Sequence, residues 1–138
     1  MSLIGGGGVP NVTSGANPAG TGSNLNYIGN HVYAYSGIIT VTNVTTPMLS
    51  FTTGSGYIVA KIQVDNSSGS NDDIKYKVEF NGETVSSWYW STAGNHNEPM
   101  NPIYVIMPAN TIVTISATNL SGSSQRNHTA IVSGRVYA

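Results

Sequence analysis

Few residues in this chain have side chains that could carry out chemistry, and its three histidines are the first to test. His31, His96 and His128 could supply the three nitrogen ligands of a catalytic zinc site. His31 and His128, however, each stand at the start of a predicted strand, where a half-exposed imidazole is ordinary. His96 belongs to a His-Asn-Glu sequence that echoes half of the zinc deaminase motif, but the other half needs cysteines and the chain has none. We therefore predict no metal site and no cofactor.

Carboxylates and serines give no stronger case for catalysis. Asp65, Asp72 and Asp73 flank a Gly/Ser-rich loop and could offer oxygen ligands to Ca²⁺, but their spacing departs from the EF-hand pattern, so a solvated turn is favoured. The serines include no G-x-S-x-G nucleophile motif. The six acidic residues are scattered, and no acid and base pair can be nominated among them. We predict that the protein is not an enzyme.

An aromatic segment, SSWYWS at 86–91, is the strongest candidate for a binding surface. In a strand, Trp88 and Trp90 fall on one face and Tyr89 on the other, so the two indoles form one apolar plate. Burial of this plate in a core or a subunit contact is the favoured interpretation. An exposed platform that stacks on sugar rings is the alternative.

The composition limits the partners. Only 8% of the 138 residues are charged, against roughly 25% in an average soluble domain, and the formal net charge is -1. Such a chain has no basic footprint for nucleic acid or for an anionic membrane. No apolar run is long enough for a membrane-spanning helix, and the N-terminus lacks the pattern of a secretory signal, so we expect the mature protein to begin near Met1.

The elements that must position these residues are strands. Short runs of β-branched and aromatic residues alternate with turn residues, without a sustained helical period, which predicts an all-β chain. Eight strands spaced about ten residues apart predict two antiparallel sheets packed as a β-sandwich. The chain lacks the Cys-Trp-Cys arrangement of immunoglobulin domains, so we favour a jelly roll. The predicted strands cover 31–43, 47–53, 57–64, 74–80, 83–91, 103–107, 111–119 and 128–138.

Two of these strands have a clear inner and outer face. Alternation in 57–64 and 74–80 places Ile, Ala, Val, Tyr and Phe inward, with Lys61, Lys75 and Lys77 outward. Asn81-Gly82 follows directly and predicts a two-residue hairpin turn.

The first 26 residues have a different composition. They are rich in Gly, Ser, Asn and Pro and have almost nothing apolar with which to form a core, so we predict a flexible arm over 1–26 and a sandwich domain over 27–138. Leu3, Ile4, Val9 and Pro10 are the candidate contacts by which the arm would order on a partner. A frayed tail without a role is the alternative.

Long neutral strands predict an oligomer. Soluble monomers usually protect sheet edges with lysine or proline, yet lysine occurs here only at 61, 75 and 77. Segments 37–43 and 111–119 carry no charge, which is natural where neighbouring chains cover them.

Several of these features resemble one family. The Gly-rich arm, the eight short strands, MPANTIVTISATN at 107–119 and IVSGRVYA at 131–138 resemble the small jelly-roll decoration, or cement, proteins of tailed bacteriophage capsids. The resemblance implies a homotrimer made in the host cytoplasm and seated on the outer surface of the virion, where it binds the major capsid protein and stabilises the shell. It implies no catalytic residues. The alternative is a glycan-binding module or a tail-fibre tip that uses Trp88, Tyr89 and Trp90.

Overall fold

The structure is a computed structural model that describes residues 25–66, 73–91, 101–121 and 125–137. No helix in this part of the chain could cross a membrane. Ten strands form its regular structure: β1 (Asn26–Ile28), β2 (His31–Tyr35), β3 (Ile39–Val41), β4 (Thr46–Thr52), β5 (Tyr57–Asn66), β6 (Asp73–Phe80), β7 (Glu83–Ser91), β8 (Ile103–Met107), β9 (Ile112–Asn119) and β10 (Arg126–Tyr137).

The strands form two antiparallel sheets, which confirms the predicted all-β sandwich. The larger sheet has the order β1-β2-β10-β5-β8, with β3 also paired to β10, and the smaller sheet has the order β4-β9-β6-β7. From β4 onward the chain mostly changes sheet at each connection, and the last long strand returns beside β2. This order is compatible with a jelly roll.

The predicted strand 31–43 is divided into β2 and β3 by a local break. Gly37 has φ 71°, a conformation that favours glycine, and it interrupts the extended chain. Ser36 bridges the break, since its hydroxyl accepts a hydrogen bond from the Ala130 amide at 2.8 Å and its own amide donates to the Ala130 carbonyl at 3.0 Å. Strand β10 therefore continues without interruption along both β2 and β3.

The core lies between the sheets and follows the predicted alternation. Every second residue of β5 and β6 points inward, and Lys61, Lys75 and Lys77 lie on the outer faces. The largest fully buried apolar and aromatic side chains come from seven strands and are Val32, Val41, Leu49, Ile58, Ile62, Ile74, Tyr76, Val78, Met107, Val113 and Ile115.

The Asn81-Gly82 hairpin is also confirmed. Both residues have positive φ, 52° and 86°, as a two-residue hairpin turn with this sequence requires. The turn joins β6 to β7, and the pairing shifts register between Val78 and Glu79, so that Val85 is an extra residue on the β7 side.

One prediction about an uncovered strand is wrong. Segment 111–119 was expected to depend on a neighbouring chain for cover, but β9 lies between β4 and β6 and is paired on both sides within the chain. Because β9 is not an edge, it needs no charged side chain to prevent pairing with another chain. Segment 37–43 differs, because its strand β3 pairs with β10 alone.

The sandwich begins slightly before residue 27. Leu25 is buried in the core and Asn26 opens β1, so both belong to the folded unit. The Gly54 amide donates a hydrogen bond to the Tyr27 hydroxyl at 3.2 Å, which holds β1 against the connection between β4 and β5. Residues 1–24, with the predicted arm contacts Leu3, Ile4, Val9 and Pro10, lie outside the described residues.

Gly134 allows a close approach between two strands of the larger sheet, β10 and β5. A Cβ atom added at this position would lie 2.6 Å from the Val59 carbonyl oxygen and 2.8 Å from Ile58 Cγ2. Two of the atoms it would approach belong to the backbone of β5, which has no room to move without breaking its pairing with β10. Glycine is therefore required here by packing.

We expect Gly134→Ala to destabilise the protein by about 1–3 kcal/mol, because the added methyl group overpacks the interface between β10 and β5. Urea unfolding followed by tryptophan fluorescence measures the loss. Ser133→Ala is the matched control on the adjacent residue and should change the free energy of unfolding by less than about 0.5 kcal/mol. Equal stability of wild type and Gly134→Ala would contradict the packing described here.

Candidate binding surface

The outer faces of the two sheets have opposite character. The outer face of the smaller sheet is formed by hydroxyl and charged side chains such as Ser50, Thr114, Lys75 and Lys77, with a hydrogen bond between the Ser50 and Thr114 hydroxyls and an ion pair between Lys77 and Glu79. It resembles an ordinary solvated surface. The outer face of the larger sheet is rich in exposed aromatic and aliphatic side chains.

We call this second surface the tyrosine face. It consists of the outward side chains of β1, β2, β10, β5 and β8, and it contains five of the eight tyrosines of the chain. Apolar patches of this kind on soluble proteins commonly mark binding surfaces. Its exposed aromatic and aliphatic members are Ile28, Tyr33, Tyr35, Tyr57, Val59, Tyr104, Ile106, Ile131 and Tyr137.

Strand register places four residues of the tyrosine face in one row across four strands. Tyr33 lies opposite Ser133, Ser133 opposite Lys61, and Lys61 opposite Tyr104. Neighbouring strands are about 4.8 Å apart, so the two tyrosine backbones at the ends of the row are about 14 Å apart. Ser133, the smallest side chain of the row, leaves a depression between them.

The depression is an open pocket with a volume of about 390 Å³. Its floor includes Ser133, Gly134 and Ala60; of these only Ser133 has an outward side chain, because Gly134 and Ala60 occupy inward positions of β10 and β5. Tyr33 and Tyr104 line it, and Tyr104 is 73% exposed.

The charge of the pocket is positive. Lys61 and Arg135 line it, together with His31, and none of the described lining residues is acidic. His31 lies directly opposite Arg135 in the pairing of β2 with β10. The Arg135 guanidinium also lies 5.9 Å from the centre of the Tyr137 ring, a cation–π contact that helps to orient it. Two of the five basic residues of the chain therefore meet in one pocket.

Two tyrosines reinforce the tyrosine face beyond the pocket. Tyr57, the first residue of β5, lies opposite Tyr137, the last residue of β10. Their ring centres are 5.4 Å apart and the angle between the ring planes is 17°. Such a stacked pair restricts both side chains.

A second polar feature is buried in the core. The Tyr76 hydroxyl and His128 Nδ1 are 3.0 Å apart, and both side chains are fully buried. The Tyr76 ring stacks on Trp88 with centres 5.6 Å apart and meets the His128 ring edge-on at 5.8 Å. Burial raises the pKa of Tyr76, and the negative charge of Asp65 acts in the same direction. This cluster is closed to solvent and joins the two sheets.

The predicted aromatic plate is positioned by these contacts. Trp88 faces the core, half-buried against Tyr76, and Tyr89 lies on the opposite face of β7 with 66% exposure. Trp90 pairs with Ile74 in the backbone register, and its side chain lies outside the described part of the structure. Trp88 and Tyr89 therefore belong to different surfaces, and packing in the core is the role that the structure gives Trp88.

The other candidate residues lie apart. His31 opens β2 on the tyrosine face, whereas His128 is buried within β10, so the expectation of a half-exposed imidazole was wrong for His128. Its burial is explained by the tyrosine partner in the facing sheet. Asp65 is the last residue but one of β5, Asp73 is the first residue of β6, and both are exposed. His96 and Asp72 lie outside the described residues. No group of three or more metal-ligating residues occurs within the described ranges.

Sequence reasoning missed the pocket. The alternation in HVYAY, with Val32 and Ala34 buried and Tyr33 and Tyr35 exposed, was a usable signal for an aromatic outer face. The row that joins Tyr33 to Tyr104 depends on strand order, which periodicity does not determine.

The fold and the surface together define an antiparallel β-sandwich with a tyrosine-rich outer face on its larger sheet. No protein family model matches the chain, and no curated protein is significantly similar to it.

We expect Tyr76→Phe to lower the free energy of unfolding at pH 7 by about 1–3 kcal/mol, because it removes a buried hydrogen-bond partner of His128. Chemical denaturation measures the change. Tyr89→Phe is the matched control on an exposed ring and should be neutral. A neutral Tyr76→Phe would show that the bond contributes little.

The same variant tests the raised pKa of Tyr76. Above about pH 10 the unfolded tyrosine loses its proton while the buried one keeps it, so wild-type stability should fall with rising pH, by up to about 1.4 kcal/mol per pH unit from this group. We expect a shallower alkaline decline in Tyr76→Phe, measured by denaturation between pH 9 and 11.5. Parallel curves for wild type and variant would contradict the shift.

Proposed function

We propose that this protein is a structural subunit of a virion that decorates the outer surface of a capsid, binds the major capsid protein and associates as a homotrimer. Support comes from the resemblance of its sequence to phage decoration proteins, from the β-sandwich fold, and above all from the character of its edge strands. The proposal assigns the protein no catalytic role.

The edge strands are the observation that carries the proposal. Strands β1, β3, β4, β7 and β8 each pair on one side only within the described chain, and Glu83 is the only charged residue in the five of them. Soluble monomers usually protect such edges with charge. Three of the five offer little backbone for pairing: β1 and β3 are only three residues long, and β4 is interrupted by a register shift after Pro47.

Strand β7 is the best edge for a subunit contact, because residues 86–91 continue without interruption after its bulge at Val85. It has nine residues, its charged residue is the first, and its side chains are mostly exposed up to Tyr89. A cyclic trimer uses two different surfaces of each subunit, so β7 of one copy would meet another surface of the next. Contacts through neutral groups also persist at salt concentrations that screen ion pairs.

The surface that favours the glycan-binding alternative is the tyrosine face and not the predicted plate around Trp88. Trp88 is packed on Tyr76, whereas the tyrosine face presents exposed rings on the larger sheet.

Light scattering of the full-length protein over a hundredfold concentration range should give a constant mass of three times 14.5 kDa. The double variant Thr84→Lys/Val85→Lys places two charges on β7 and should produce a monomer. Thr114→Lys, on the outer face of the central strand β9, is the matched control and should remain a trimer. A wild-type monomer at all concentrations would refute the trimer.

Attachment to the shell is tested with the arm. Leu3→Asp/Ile4→Asp in the full-length protein should abolish binding to capsids of the encoding phage that lack this protein, while the far-UV spectrum and melting temperature stay unchanged. Ser2→Asp/Thr13→Asp adds the same charge to the same segment and should keep binding. Retained binding by the Leu3/Ile4 variant would remove the arm from the proposal.

A further inference from the structure

We propose that the pocket on the tyrosine face binds a sugar ring that carries a carboxylate. This inference is independent of capsid decoration, because it concerns the outer face of the larger sheet and not the edge β7 or the arm.

The shape of the pocket fits a small ring. Its volume of about 390 Å³ lies within the range of about 300–1,000 Å³ that is typical of small-molecule sites. The pocket is carried by four hydrogen-bonded strands, β2, β10, β5 and β8, which hold a site more rigidly than loops do. Tyr33 and Tyr104 stand at opposite ends of the row that crosses it.

The chemistry of the lining fits a ligand with both an apolar face and hydroxyl groups. Tyrosine offers a rigid ring for stacking and a hydroxyl for hydrogen bonding, with little conformational entropy to lose on binding. Ser133 adds a hydroxyl at the floor, and His31 adds ring nitrogens at the side. A sugar ring presents C–H groups on its faces and hydroxyl groups at its rim, which matches this lining.

The charge of the lining favours an anionic ligand. Lys61 and Arg135 stand diagonally across β5 and β10, since Lys61 lies opposite Ser133 and Arg135 lies opposite Val59. No described residue of the lining neutralises them with a carboxylate. Arginine and lysine together can bind one carboxylate through charge-assisted hydrogen bonds.

The extent of the positive charge favours one anionic group over a polyanion. The next row of the tyrosine face consists of Tyr35, Ile131 and Gln63, which carry no charge. Single-stranded nucleic acid binds along a groove of several cations that follows the phosphates. Two cations in one pocket on a chain with net charge -1 suit a single carboxylate instead.

Titration of the full-length protein with two matched glycosides tests the proposal. Methyl β-D-glucuronide and methyl β-D-glucoside differ only in the carboxylate at C6. We expect the glucuronide to bind at least tenfold more tightly in ¹H–¹⁵N NMR titrations, with shift changes in β2, β5, β8 and β10. Equal binding of both glycosides, or binding of neither, would overturn the proposal.

Two further probes separate a sugar site from a general anion site. Cyclohexanecarboxylate has the charge and a ring but no hydroxyl groups, and inorganic phosphate has the charge alone. We expect each to bind at least fivefold more weakly than the glucuronide. Equal or tighter binding of either would show that the hydroxyl groups are not recognised, which overturns the assignment to a sugar.

Four variants in two matched pairs locate the site. Lys61→Gln and Tyr104→Ala change the pocket, whereas Lys75→Gln and Tyr89→Ala make the same changes on the smaller sheet. We expect the first pair to weaken glucuronide binding at least fivefold and the second pair to stay within twofold of wild type. Loss of binding in the control pair, or none in the pocket pair, would place the ligand elsewhere and overturn the proposal.

Light scattering of the same four variants separates this result from the oligomer prediction. We expect all four to keep the mass of the wild type. Dissociation caused by Tyr104→Ala alone would identify the tyrosine face as a subunit contact and would overturn the sugar site. A monomeric wild type that binds the glucuronide would refute the trimer and leave the sugar site intact.

Discussion

The pairing of β10 with β5 is the constraint on which the rest of the structure depends. Ten residue pairs, from His128–Asn66 to Tyr137–Tyr57, hold the two strands in one register without interruption. Because side chains alternate, a shift of one residue would move Ile62 and Val132 from the core to solvent and Lys61 in the opposite direction. The close approach at Gly134 reinforces this register, since only a residue without Cβ fits beside the Val59 carbonyl.

This register also explains why the pocket and the buried histidine occur together. On the inner side, β10 carries His128 to the Tyr76 hydroxyl of the facing sheet, where a buried imidazole is tolerated because it is hydrogen-bonded. On the outer side, the same strand carries Ser133 and Arg135 between the tyrosines of β2 and the lysine of β5. Core and surface therefore share one determinant, the register of β10 with its neighbours.

The sequence predicted the strands and their faces well because those depend on local alternation. The β6–β7 hairpin was predictable from Asn81-Gly82, and the inward face of β5 was predictable from its pattern. Strand order was not predictable, because it depends on which strands pair across the whole chain. For that reason β9 was expected at an edge, His128 was expected near solvent, and the row from Tyr33 to Tyr104 was missed.

The two proposed surfaces are physically compatible. Pairing through an edge strand such as β7 extends a sheet within its own plane, so it leaves the outer face of the other sheet uncovered. Exposed lysine and arginine give only a modest gain with a single carboxylate, so one pocket would bind a sugar weakly. Several pockets displayed by one assembly raise the overall affinity without new contacts, as long as the ligands can be reached at once. An oligomer built through sheet edges would therefore make a weak pocket on the tyrosine face effective on a surface that carries many acidic sugars.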